Sequence, residues 1–447
     1  AFSYMAEIVL SVFLLKMAND VSDFRIIHLP LKNLFEDKEV PQICPIYPDN
    51  GVAIALSCNE QYMPILGVML KSLLESGSAN NNYDVIVIDN LSNSKREVID
   101  NIEKITSKKV KFYELDLCNK EEVRRVFVDN KIDAVIHFAG YKAVGESVKE
   151  PLMYFRNNLD STITLLELMK EYNVKKLVFS SSATVYGDPE RLPIDEKCRL
   201  SVTNPYGRTK LYIEGILSDL YNSDNSFGIV ALRYFNPVGA HSSGLIGEDP
   251  NGIPNNLMPY IVKVATHELS HLNIFGNDFD THDGTGVRDY IHVVDLALGH
   301  LKALEYLDKN TGMEYINLGT GHGYSVLEIV NTFERVNNIK VPYEIVDRRP
   351  GDIAECYADT RYAKEKLGWE AKLGLDDMVK SAYEYAIKDK TALLSDVYNV
   401  EQLAENICKL IEDNDLRIKI SKAGNEFIHT FTWDKAYSKL KTALKID

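Results

Sequence analysis

Tyr206 and Lys210 stand four residues apart in PYGRTK (Pro205 to Lys210), a spacing that puts both side chains on one helix face, a turn apart. A lysine ammonium so placed lowers the pKa of the phenol and can also hold a cofactor ribose hydroxyl. Upstream, SSSATVYG (Ser180 to Gly187) closes an apolar run. Ser182 therefore falls at the end of a strand, where a parallel sheet exposes functional groups at its carboxyl edge. A YxxxK alone is commonplace and marks an ordinary helix face. Preceded by a strand ending SSSATVYG, it predicts a serine, tyrosine and lysine set for proton transfer.

Those residues need a scaffold of strands and helices in alternation, and the chain supplies it. From Tyr83 to about Lys388, the strand-like runs VIVID, KVKFYELD, AVIHFAG, KLVFSSS and GIVALRYFN alternate with segments of helical period. This pattern predicts a parallel sheet covered on both faces. Just before it, VAIALSC (Val52 to Cys58), QYMPILGVMLKSLLESG and YDVIVIDN read as a βαβ unit. The predicted class is α/β: a Rossmann-like doubly wound sheet, a smaller α/β substrate domain and a helical C-terminal appendage. The expected organisation is an N-terminal extension over 1–50, a nucleotide-binding domain over 51–235, a substrate domain over 236–388 interleaved with it, and helices over 389–447. Within the last stretch, VEQLAENICKLIED, LRIKISKAGNEFIHT and TWDKAYSKLKTAL each have a helical pattern.

At 447 residues the chain is long enough for two or three domains, and its formal charge of -15 comes without a long single-sign block. Nucleic acid and anionic membrane surfaces are thereby disfavoured as partners, and a small molecule is favoured. Six scattered cysteines, with no CxxC pair, point to neither a disulfide framework nor a metal site, which fits a reducing cytoplasm. The apolar run Ala6 to Ala18 is about half the roughly 20 residues of a spanning helix and contains Glu7 and Lys16, so it reads as a core helix. The chain begins at Ala1 without a methionine, as a fragment or a trimmed chain would.

HFAGYKAVGES (His137 to Ser147), RYFNPVGAH (Arg233 to His241), IPNNLMPYI (Ile253 to Ile261), DGTGVRDYIHVVDLA (Asp283 to Ala297) and the RRPGD segment (Arg348 to Asp352) lie in one order with the Ser-Tyr-Lys set. Over about Tyr83 to Lys388 the chain resembles the UDP-galactose 4-epimerases of the extended short-chain dehydrogenase/reductase family. The resemblance implies Tyr206 as the acid/base on the sugar 4-hydroxyl, Ser182 as its hydrogen-bonding bridge and Lys210 as the group that sets the phenol pKa and holds a cofactor ribose. For NAD it implies Asp89 on the adenosine ribose with Asn90, Asn93 and Ser94 beside it, Asp116 and Leu117 at the adenine, Phe138, Ala139, Gly140 and Lys142 along the centre, and Asn157, Tyr234 and Phe235 on the nicotinamide side. An acidic residue at Asp89 disfavours a 2′-phosphate and so favours NAD over NADP. For the UDP-sugar it implies Asn236, Asn256, Leu257, Asn273 and Phe275 lining the pocket, Arg288 and Arg349 on the diphosphate, Asp352 on the uridine ribose, and Cys356 beside the C2 substituent, with room there for an N-acetyl group. The family further implies a homodimer.

Two features read as structural. GTGHG (Gly319 to Gly323) lies after the Tyr-Lys pair and lacks GxGxxG spacing, so a turn is expected. His137 and His292 sit in apolar runs and are expected to be packed rather than basic.

The chain departs from the family at its opening, where a strand and GxxGxxG are replaced by VAIALSCNEQYMPILGVMLKSLLESG. Here Asn59, Glu60 and Gln61 would crowd the pyrophosphate and Gly67 falls inside the helix, so weakened NAD binding is expected. The segment around FSYMAEIVLSVFLLK resembles the tail of capsule-type glycosyltransferases. QYMPILGVMLKSLL resembles the opening of glycogenin-related transferases, and the C-terminal helices resemble the tail of transferases with two Rossmann-like domains. The expected origin is recombination or mis-assembly of adjacent polysaccharide-cluster genes. The competing expectations are a nucleotide-sugar-binding relic without the cofactor and a glycosyltransferase-related chimera.

Overall fold

The computed structural model describes residues 51–57, 82–248, 254, 256–349, 351–387, 400–413, 416–418 and 420–421. The expected helix Ala6 to Ala18 and the segment 58–81, which holds the replacement for the glycine loop, lie outside the described residues, as does all of the chain after 421. Residues Asn50–Lys388 form one compact unit. In the second unit, made of the residues before and after it, Val400–Glu412 is an amphipathic helix.

Seven parallel strands make the main sheet: β1 (Gly51–Ser57), β2 (Asn82–Asp89), β3 (Lys111–Glu114), β4 (Ala134–His137), β5 (Lys176–Ser182), β6 (Gly228–Tyr234) and, after three strands of a second region, β10 (Gly312–Leu318). Their spatial order is β10-β6-β5-β4-β1-β2-β3, so the order reverses between β1 and β4. Ligands of open α/β sheets bind at the carboxyl ends of strands beside such a reversal. The register places Asp89 opposite Glu114, Ser57 opposite His137, and Ser182 opposite Tyr234, which is itself opposite Leu318.

Strand residues alternate between two cores, as burial on both faces of a parallel sheet requires. Val85, Val87, Ile136, Val178, Val230 and Leu232 pack with the helix Val293–Leu307 through Leu296, Leu301 and Leu304. On the other face Ile86, Ile88, Val135, Leu177, Phe179 and Ile229 pack with Val126 of helix Lys120–Asp129, Leu165 and Leu168 of helix Pro151–Glu171, and Ile213 and Leu217 of helix Pro205–Ser223.

The second region holds β7 (Asn236–Val238), β8 (Leu272–Phe275), β9 (Val287–His292), β11 (Gly323–Ser325), β12 (Tyr343–Val346) and β13 (Glu355–Cys356). β9 carries β11, β13 and β7 as neighbours, while β8 pairs with β12. Its core joins Met258, Ile261, Ile274, Tyr290, Phe333 and Met378. The helix Val326–Asn337 opens with a capping box, in which the Ser325 side chain accepts from the Glu328 amide and the Glu328 carboxylate accepts from the Ser325 amide. No helix among the described residues is long and apolar enough to cross a membrane.

Candidate active site

β5 ends on three serines, and helix Pro205–Ser223 packs against that end. Asn204 caps the helix by accepting from the Gly207 amide at 2.8 Å, and Pro205 at the first turn fits a position with no intrahelical amide partner. Tyr206 is therefore fixed in the first turn, 4% exposed, with Lys210 one turn on and 1% exposed. The Lys210 ammonium donates to the Ser180 carbonyl at 2.6 Å and lies 4.9 Å from the Phe179 ring centre and 6.0 Å from that of Tyr206. The Ser182 hydroxyl accepts from the Thr184 amide and hydroxyl at 3.2 and 3.0 Å. Burial pushes Lys210 down to about 7, the charge of Lys142 acts in the same direction, and Glu214 opposes both. The three residues predicted to move protons are thus brought to one strand end.

His137 is fully buried, with Nε2 2.9 Å from the Thr162 hydroxyl. Burial pushes it down to about 3, Lys210 adding to the effect, so the ring is neutral and packed. His292 is likewise structural: its Nδ1 accepts from the Val294 amide at 3.1 Å as an N-cap, and its Nε2 meets the Ser381 hydroxyl at 3.0 Å.

At the other side of the reversal, Asp89 closes β2. Its Oδ1 accepts from the Leu91 amide at 2.7 Å, while Oδ2 is buried without a partner, as is the hydroxyl of Ser94. Buried polar atoms are ordinarily paired, and an acceptor carboxylate with an unpaired oxygen suits the paired hydroxyls of a ribose. Burial raises Asp89 to about 7, with the Leu91 amide opposing and Glu114 adding. Asp116 holds the neighbouring strand end, accepting from the Cys118 amide at 2.8 Å and from Asn90 Nδ2 at 3.4 Å. Leu117 is buried beside it, and Asn93 and Ser94 follow in the turn after β2. The residues present therefore fit an adenosine ribose.

Between these ends runs the segment after β4. Gly140 has φ +138°, and a Cβ there would come within 3.1 Å of Asn158 Oδ1. That oxygen accepts from the Tyr141 amide at 2.7 Å and from Asn157 Nδ2 at 3.0 Å, while Asn158 Nδ2 donates to the Tyr141 carbonyl and the Thr209 hydroxyl, each at 3.0 Å. Asn157, singled out from the sequence, thus works beside Asn158, which was not. Phe138 is fully buried with its ring 4.8 Å from that of His300, and Tyr234 bonds His300 Nε2 through its hydroxyl. Both side chains belong to the core, so these two residues offer the sheet edge their main chain. Ala139 and Lys142 are half-buried. The Phe235 amide donates to the Leu318 carbonyl at 3.1 Å.

The residues expected at a nucleotide sugar fall into three groups. Asn236 begins β7 opposite Tyr290; Asn256 precedes helix Leu257–Ala265, whose first residue is Leu257, and donates to Glu248 at 3.0 Å. Asn273 and Phe275 lie on β8, with the Arg349 guanidinium 4.7 Å above the Phe275 ring. Arg349 also donates to both oxygens of Asp352, at 2.9 and 3.3 Å, so two residues expected on different parts of the ligand hold each other here. Arg288 donates to the Val287 and Ala354 carbonyls at 2.8 and 3.4 Å and sits opposite Cys356 in the β9–β13 register. Cys356 packs on the cluster of Val185, Tyr186, Ile194, Cys198, Phe235 and Ala358, on the side of the turn that follows Ser182.

GTGHG is a structural turn. The buried Asp289 carboxylate accepts from the Thr320 amide and hydroxyl at 2.8 and 2.7 Å, from the Gly321 amide at 2.9 Å and from the Ala358 amide at 3.1 Å. Sequence reasoning missed Asp289, and also the buried pair Glu214 and Arg233. The signal was present in GIVALRYFN: an arginine in an otherwise apolar central strand requires a buried partner.

A doubly wound parallel sheet with Ser182, Tyr206 and Lys210 at its carboxyl edge defines the short-chain dehydrogenase/reductase class. A family model described as GDP-mannose 4,6 dehydratase matches residues 69–382. UDP-glucose 4-epimerase of Bacillus subtilis (strain 168) is 59% identical over 306 residues, which is 68% of this chain and 90% of that protein. The crystal structure of UDP-glucose 4-epimerase from Bifidobacterium longum in complex with NAD+ and UDP superposes with a TM-score of 0.71 at 51% identity, over 75% of this chain and 98% of that one. That of Stenotrophomonas maltophila, with bound NAD and formylated UDP-arabinopyranose, does so at 0.71 and 42%, with the same coverage. The chain belongs to the UDP-glucose 4-epimerase family.

Proposed function

We propose that this chain epimerises UDP-hexoses at C4, interconverting UDP-glucose and UDP-galactose, with NAD as cofactor. The observation that carries the reading is the docking of Lys210 on the Ser180 carbonyl, which holds Tyr206 and Lys210 at the strand end formed by Ser182. The complexes of the B. longum and S. maltophila relatives with NAD and a uridine nucleotide support the ligands.

Bound NAD supplies the acceptor and donor of hydride at C4. Tyr206 takes the proton of the 4-hydroxyl and gives it back, and Ser182 bonds the same oxygen during both transfers. The Lys210 ammonium favours the phenolate of Tyr206 by charge and binds the nicotinamide ribose. Asp89, through its free Oδ2, takes the adenosine ribose with Ser94 beside it. Arg288 and Arg349 neutralise the diphosphate, Arg349 exchanging its bonds to Asp352 as Asp352 turns to the uridine ribose. Cys356, small and set on the cluster below Phe235, leaves space at C2, so N-acetylated UDP-hexoses enter as well. Leu152, Ile163 and Tyr212, which are 81%, 41% and 50% exposed on helices Pro151–Glu171 and Pro205–Ser223, support a homodimer built on that face.

A second reading, a nucleotide-sugar-binding relic, is favoured by one observation: no glycine-rich run follows VAIALS in the sequence. Absorbance of the cofactor released by denaturing the purified chain separates the two. Released NAD, at low occupancy with the present opening, is the expected result for the epimerase, and UDP binding with no released NAD would replace it by the relic.

A further inference from the structure

Helix Pro205–Ser223 carries a third polar residue on the face of Tyr206 and Lys210. This is Glu214, one turn beyond Lys210 and 2% exposed. Its Oε1 accepts from the Ser181 hydroxyl at 2.6 Å and from Arg233 Nε at 2.9 Å, and its Oε2 accepts from Arg233 Nη2 at 2.7 Å. Arg233 goes on to donate to the Tyr186 phenol at 2.9 Å, and that phenol donates to Asn317 Oδ1 at 2.7 Å. One carboxylate therefore ties the helix to β5 and β6 and, through Tyr186, to the turn after Ser182 and to β10. Consecutive residues of β5 grip successive turns of the helix: the Ser180 carbonyl holds Lys210, the Ser181 hydroxyl holds Glu214, and Ser182 comes next.

A buried ion pair is a weak source of stability, because desolvating two charges offsets most of their attraction, whereas losing one partner is costly. What such a pair supplies is a single geometry, since a bidentate guanidinium bond tolerates little rotation. We infer that Glu214 is a positioning residue, whose carboxylate, clamped by Ser181 and Arg233, sets the rotation and height of the helix so that Tyr206 and Lys210 meet the strand end at Ser182. The inference rests on the roles given above to those three residues.

Glu214 also acts on Lys210 through charge. The titratable and charged groups about that ammonium are Tyr206 and Glu214 on its own helix, His137 on β4 and Lys142 after it. Of these, Glu214 favours the protonated form, Lys142 opposes it and His137 is neutral.

The test compares amide hydrogen exchange in the full chain and in Glu214→Gln and Glu214→Asp. In Glu214→Gln, the segments 179–187 and 204–212 are expected to exchange together about tenfold faster or more, as loss of a charged hydrogen bond implies. Glu214→Asp, which keeps the charge on a shorter arm, is expected to fall between that variant and the parent. Parent rates in either segment of Glu214→Gln overturn the clamp. If that variant does not accumulate folded, Ser181→Ala removes one hydrogen bond and is expected to quicken both segments by about two- to fivefold. Unchanged rates there overturn the clamp equally. In turnover, the alkaline limb of the kcat profile is expected to move to lower pH in Glu214→Gln and to stay in place in Glu214→Asp; an unmoved limb in Glu214→Gln refutes the bearing on Lys210. A parent without epimerase turnover rejects the proposed function, and the exchange result still decides the clamp.

Discussion

Tyr206 and Lys210 are almost sealed from solvent, so the proposed proton exchange at the phenol would be with a bound molecule rather than with bulk water. Tyr206→Phe removes that hydroxyl and little else. Epimerisation is expected to fall about 10²–10⁴-fold, the range of a lost general acid/base, with UDP affinity unchanged by calorimetry. Cys356→Tyr sets a ring against the cluster that holds Phe235 and is expected to cost the N-acetylated sugar about 1–3 kcal/mol in kcat/KM relative to UDP-glucose; equal loss of both activities refutes the proposed place of Cys356. Asp89 gives a pH dependence whose sign follows from burial. Its carboxyl is raised to about 7, so the neutral acid stabilises the ligand-free fold at low pH and that contribution fades as pH rises through 7. A ribose donates to the ionised form, so NAD affinity is expected to strengthen between about pH 6 and 8, and a flat titration by fluorescence quenching would contradict it. The Tyr-Lys pair was legible because its partners lie four residues apart. Glu214 was not, since Ser181 and Arg233 reach it from separate strands.

Strands buried on both faces announce themselves as branched apolar runs, and VIVID, AVIHFAG, KLVFSSS and GIVALRYFN all became central strands. The short elements β7, β8, β12 and β13 were illegible for the opposite reason. They span two to four residues, and their pairing is fixed by distant partners such as β9 rather than by local pattern. The opening segment, residues 52–77, is where the sequence is expected to depart from the family. Replacing residues 52–77 by a strand and GxxGxxG opening is expected to raise NAD occupancy at least about tenfold, because backbone amides then approach the pyrophosphate at a helix N-terminus. The parent chain purifying with stoichiometric NAD would show that the present opening already serves.

For the molecule as a whole, the exposed apolar side chains on helices Pro151–Glu171 and Pro205–Ser223 give the proposed homodimer a direct test. Leu152→Glu is expected to shift the sedimenting species from two chains to one without altering the far-ultraviolet spectrum, since a charge is disfavoured at the centre of an interface. The sheet order has another bearing, on synthesis. β10 borders β6, yet residues 235 to 311, which hold three of the second region's six strands, are translated between them. At about 5–20 residues per second, β6 waits on the order of several seconds with its hydrogen-bonding edge unpaired. β5 and helix Pro205–Ser223 thus precede an open seam in the order of synthesis, and the last strand of the sheet arrives as the closing stitch.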